Sequence, residues 1–153
     1  MVGVSKRKDL VMNANPASAA SAAPALRTVD LRAPGPVQSL EGLDAYRVSL
    51  DACRHAASIA GTLSANLRDQ LMRASSSVVL NVAEGFGSCS RGIKRRHYEI
   101  ARGSAVECVA ILDVASTLGA GSEDASRAAA LAVARSLFTR AAMMLAKLAA
   151  RFR

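Results

Sequence analysis

From Leu40 onward the apolar positions recur at alternating intervals of three and four, the period of helices that bury one face, and proline is absent. Leu43, Tyr46, Leu50, Cys53, Ala57 and Ala60 form one such seam, which predicts a helix from about Glu41 to Leu63. Leu67, Leu71, Ala74, Val78 and Val82 form a second. Its helix is expected to begin near Ala65 or Asn66, with Asn66 as N-cap, and to stop at Gly85-Phe86-Gly87, where glycine can adopt the left-handed C-terminal conformation. A third helix is predicted from Ser90 to Leu118, with Gly119 as its stop. Its inner seam is Tyr98, Ala101, Ala105, Cys108, Leu112 and Ala115, and Ile93, Ile100, Ile111, Val114 and Leu118 make a second apolar line beside it. A fourth helix follows Gly119-Ala120-Gly121, with Ser122 as N-cap, Glu123 and Asp124 in the first turn, and Leu131, Ala134, Phe138, Ala141, Leu145 and Leu148 as its seam. Four amphipathic helices joined by short connections predict an all-α chain, an antiparallel up-down-up-down four-helix bundle.

All four prolines (Pro16, Pro24, Pro34 and Pro36) fall in the opening segment, together with an Ala/Ser low-complexity run. Residues 1–38 are therefore expected to be a flexible, disordered arm and residues 39–153 the bundle domain. Composition agrees with the helical reading: about one residue in five is alanine, aromatics make up 3%, and tryptophan is absent. The formal charge of +8 favours anionic partners such as nucleic acid or an acidic membrane surface. Cys53, Cys89 and Cys108 have no metal-type spacing; Cys53 and Cys108 fall on apolar stripes and Cys89 in a turn, a pattern that suits a reducing cytoplasm. No apolar run is read as approaching the roughly 18 residues of a membrane span, so no membrane partner is expected.

The stretch from Asn81 to Gly119 couples a helix stop, a basic cluster and a helix with an internal Gly-Ser pair. Glu84 sits at the end of the second helix, where the dipole disfavours a carboxylate, so a compensating cation on the next helix is expected. Arg102 is the candidate, and Gly103 with Ser104 would permit the close helix crossing that brings the two together. Asn81, Glu84, Gly85, Phe86, Gly87, Arg102, Gly103 and Ser104 are thus read as architecture. Arg91, Lys94, Arg95, Arg96 and His97 open the third helix, where cations oppose the macrodipole. That local cost makes them the candidate nucleic-acid-binding residues, acting on phosphates with little base readout, because only Phe86 and Tyr98 flank them. Lys6-Arg7-Lys8 and the terminal Lys147, Arg151 and Arg153 could extend the surface.

Enzymatic machinery is not expected. The Gly-Phe-Gly turn lacks a phosphate-loop spacing, His55 and His97 stand alone, and the Glu-x-x-His pairs of a di-iron bundle are missing. No metal and no cofactor are predicted.

The segment Asn81-Val82-Ala83-Glu84-Gly85-Phe86-Gly87 with Ser90, followed by Ile100-Ala101-Arg102-Gly103-Ser104 and Glu107, resembles the 23S rRNA intervening-sequence protein family. The resemblance covers residues 40–150 or so. It implies a four-helix bundle that assembles as a homopentamer, and it brings in a relative, the accessory variability determinant of diversity-generating retroelements, a basic pentamer that binds nucleic acid and a reverse transcriptase. The basic opening of the third helix departs from the family, where Glu-Phe is often found. The function expected is a non-enzymatic, homo-oligomeric protein that binds RNA or DNA; the alternative is a protein-interaction module, such as an accessory subunit of a nucleic-acid enzyme.

Overall fold

A computed structural model describes residues 39–122 and 124–153. The expected arm, its boundary near residue 38 and the Lys6-Arg7-Lys8 cluster lie outside the described residues. After one 3-10 turn, Leu40–Gly42, come four helices: α1 Asp44–Ala60, α2 Ala65–Gly87, α3 Arg91–Thr117 and α4 Ala125–Ala150. There is no strand among the described residues. α1 packs on α2 and α4, and α3 packs on α2 and α4, so the four enclose one core.

The inner seam of α3 is buried as the periodicity demands, and so are Leu71, Ala74, Val78 and Val82 of α2. On α4 the buried line ends at Ala149 instead of Leu148. Ile111, expected on the outer line of α3, is in the core at 6% exposure, whereas Ile93, Ile100, Val114 and Leu118 are exposed. The α1 seam is rotated from the expected one. Ala45, Val48, Ser49, Ala52, Ala56 and Ile59 are buried, while Leu50 and Ala57 face out. Alanine falls on both faces of this helix, so apolar spacing alone does not separate them. Ser49 is accommodated because its hydroxyl donates to the Ala45 carbonyl at 2.7 Å.

The helix ends also differ from expectation. α2 runs through Gly85 and Gly87 in helical conformation; among the described residues only Gly119 and Gly121, with φ of 88° and 87°, are left-handed. Ser64, not Asn66, holds the N-cap position of α2, and the Asn66 side-chain Oδ1 instead accepts from the Gln70 side-chain amide at 3.0 Å. At α4 the N-cap is Asp124 rather than Ser122, its carboxylate accepting from the Ser126 and Arg127 amides. α4 is also the exception to the expectation about membrane spans: its length and mean hydropathy of 1.4 reach what a span requires. Much of that hydropathy is alanine. Of its larger side chains Leu131, Phe138 and Leu145 are buried in the core, whereas Val133 and Met143 are exposed.

Two surface carboxylates tie the chain together. Asp113 of α3 accepts from the Arg135 guanidinium of α4, and Asp124 caps α4. The Arg135 hydrogen bond holds Asp113 below the ordinary carboxylate range, and the Ser126 hydroxyl with the Arg127 and Ser126 amides does the same for Asp124. Both folded values lie below the unfolded ones, so both groups stabilise fully above about pH 4 and lose that contribution as the pH falls below it. Thermal melts between pH 5 and pH 2.5 should show the midpoint of D113N/D124N falling less steeply than that of the parent; equal slopes would refute the assignment.

Candidate nucleic-acid interface

The opening turns of α3 carry the basic cluster, and Ser90 caps them, its Oγ accepting from the Ile93 amide at 3.5 Å. In isolation these cations oppose the α3 dipole. The tertiary structure reverses that balance for two of them, because the C-terminal ends of α2 and α4 lie beside the start of α3. The Lys94 ammonium donates to the Gly85 carbonyl at 3.2 Å and the Phe86 carbonyl at 2.8 Å, satisfying two of the orphan acceptors at the end of α2. Arg91 donates through Nη2 to the Arg151 carbonyl at 3.1 Å, at the end of α4. Both cations also lie 5.9 Å from the centre of the Phe152 ring, which packs against Tyr98 at 5.8 Å.

His97 turns toward α2. Its Nδ1 lies 2.9 Å from Glu84 Oε2 and 3.1 Å from Asn81 Oδ1. Asn81 donates its amide to the Ser77 carbonyl and hydroxyl, so its oxygen is left to accept and Nδ1 is the donor. The Glu84 partner on α3 is therefore His97, and the expected Glu84–Arg102 pair is not formed. Contacts between the two helices explain why. Ser77 meets Ser104 at 2.9 Å, and Asn81 and Glu84 meet His97, so Arg102 lies more than one turn beyond the level of Glu84. Arg102 instead borders a groove with Val106, Val109, Thr139 and Met143, on the α4 side of its helix.

Gly103 is likewise not the point of close approach: nothing lies within 4 Å of the position its Cβ would take. That role belongs to Gly85, where a Cβ would stand 2.7 Å from Cε1 of Tyr98. Phe86 rests beside the Lys94 ammonium, 6.0 Å from its ring centre, and Gly87 has open space around it.

Arg95 and Arg96 complete the cluster. Arg95 is held by Glu99, one turn on, at 2.8 Å. Arg96 is exposed and makes no ion pair among the described residues. The five candidate residues thus share one end of the bundle, but with different engagements: Arg91 and Lys94 on neighbouring helix ends, His97 on α2, Arg95 and Arg96 on the outer surface. Missed from sequence was the helix-capping use of Arg91 and Lys94; the short connection between α2 and α3 is the signal that could have located that of Lys94, since it places the end of α2 beside the start of α3. No group of three or more His, Cys, Asp and Glu side chains gathers as a metal site among the described residues. The one thiol in the core, Cys108, is pushed up to about 12 by burial, assisted by Glu107 and Cys53, which leaves it protonated and unreactive at neutral pH.

Residues 43–135 match the family model for the 23S rRNA-intervening sequence protein. No curated protein matches the chain.

Proposed function

We propose that this chain, which belongs to the 23S rRNA-intervening sequence protein family, is a non-enzymatic, oligomeric protein of up-down-up-down helices that binds RNA or DNA through the phosphate backbone. The observation that carries this reading is the exposed Arg96, unpaired among the described residues, together with the half-exposed Arg95 and the exposed Arg91 at the start of one helix, on a chain with a formal charge of +8. Guanidinium groups on a rigid helix suit phosphate oxygens in fork geometry, and release of condensed counterions supplies the driving force. With no exposed aromatic platform at the site, recognition is directed to the backbone and tolerant of sequence.

Filter binding to single-stranded RNA and DNA at 50 and 200 mM salt tests it. Affinity is expected to fall steeply between the two salt concentrations, and R95E/R96E to bind at least about tenfold more weakly at low salt, with a shallower salt dependence. Absence of binding by the parent protein at low salt would sink the reading.

A second reading, a protein-interaction module such as an accessory subunit of a nucleic-acid enzyme, is favoured by the exposure of Ile93, Ile100, Val114 and Leu118 along α3. The same line supports self-association, with the homopentamer as the assembly the family resemblance implies. Light scattering at micromolar concentration should give a mass well above the 15.9 kDa of one chain; a monomer mass would refute the oligomer.

A further inference from the structure

The end of α4 and the start of α3 are sixty residues apart in sequence and are joined by the Arg91–Arg151 hydrogen bond. Around that bond the structure gathers cations from separate segments. Arg91 and Lys94 come from α3; Lys147 and Arg151 border a groove of about 300 Å³ between the start of α1 and the end of α4; Arg153 follows immediately. The carboxylate that lines this groove is Asp44, and it is already bridged to Arg47.

Cations near a helix C-terminus have an ordinary explanation in the dipole, and here that need is already met. Lys94 covers the α2 carbonyls and Arg91 the Arg151 carbonyl, while Lys147 lies in the last turn of α4. Arg151 and Arg153 fall after the last helical residue, Ala150, with exposed side chains. Capping therefore leaves their guanidinium groups in surplus. Arg95 stands one turn beyond Arg91 on the same face of α3, and the Arg91 bond to the Arg151 carbonyl joins that face to the end of α4, where the Arg151 side chain borders the α1–α4 groove.

We infer that the nucleic-acid surface is composite: Arg151 and Arg153 at the end of α4 contact phosphates of the same strand that Arg95 and Arg96 engage on α3, with Arg91 as the strut that holds the two segments in register. The inference rests on the nucleic-acid reading above and adds a second, sequence-distant segment to its site. The occupant is a phosphodiester backbone rather than a free base, since both Phe152 and Phe86 are engaged by the Lys94 cation and Phe152 also by Tyr98.

Fluorescence anisotropy of the full chain with a labelled 20-nucleotide single-stranded RNA, at fixed low salt, separates the outcomes. R151E/R153E and R95E/R96E are each expected to weaken binding at least about tenfold. R73E/R127E changes the net charge equally but lies on α2 and at the start of α4, and is expected to weaken it no more than about threefold. R151Q/R153Q, which removes charge without adding any, should fall between the parent and R151E/R153E. Circular dichroism melts unchanged from the parent identify folded variants. If R95E/R96E weakens binding while R151E/R153E behaves like R73E/R127E, the composite surface is overturned and the nucleic-acid reading stands. If the parent does not bind RNA, or binds anionic phosphatidylserine vesicles in its place, both are overturned.

Discussion

Replacing Phe138 by alanine is expected to destabilise the bundle by about 3–5 kcal/mol, toward the upper end of that range. Phe138 is the largest side chain with no exposed surface. Much of the core that surrounds it is alanine: Ala52, Ala56, Ala101, Ala105 and Ala134 are all fully buried. Alanine has no rotamer freedom with which to fill a void, and helices packed through alanine are already close together. The cavity left by the ring can therefore collapse little, and the cavity term adds to the lost transfer free energy. Urea unfolding at fixed protein concentration would read this as a lower midpoint with an unchanged slope. A loss below about 1 kcal/mol would show that the core relaxes where its composition says it cannot.

The second large effect is a contrast in sign between two identical substitutions. Gly85→Ala should destabilise by about 1–3 kcal/mol. Its Cβ would enter within 2.7 Å and 2.9 Å of Cε1 and Cδ1 of Tyr98. That ring is 2% exposed and is backed by Phe152, so it has no room to withdraw. The overlap outweighs the gain of about 1 kcal/mol that alanine otherwise brings to a helix interior. Gly103→Ala meets open space and should stabilise by about 0.5–1 kcal/mol. Thermal or urea melts of the two single variants decide the matter directly. A Tyr98→Ala background sharpens it: with the ring gone, the penalty of Gly85→Ala should vanish, giving a coupling of about 1–3 kcal/mol. A persistent penalty in that background would place the cause elsewhere than in the Tyr98 contact.

These two glycines also show where reading the chain by itself reaches its limit. Both interrupt helix formers; read alone, Gly85 invites the inference of a helix stop and Gly103 that of a close crossing. Which one is crowded depends on the axial register of α2 against α3, and register is set by side chains that meet across the interface: Ser77 with Ser104, Asn81 and Glu84 with His97. Glu84 was recognisable as a carboxylate in need of a cation; that the cation is His97 and not Arg102 follows only from that register. The basic cluster gives the same lesson. Its conflict with the α3 dipole is visible in one dimension, but the helix ends that Lys94 and Arg91 satisfy belong to other segments.

By itself the sequence determined that this is a chain of four amphipathic helices, where three of the four buried faces lie, and that its cations crowd the start of the third helix. Those properties depend on periodicity, propensity and local capping, which act over a few residues. The tertiary structure alone decided the buried face of α1, where alanine on both sides makes the pattern ambiguous. It also decided that Ile111 is core, that Gly85 rather than Gly103 is the contact point, and that Arg91 and Lys94 stitch helix ends together, Arg91 at the Arg151 carbonyl. The physical reason is common to all of these: each depends on which residues of distant segments are placed opposite one another, and that pairing is settled when side chains interdigitate at close-packed density.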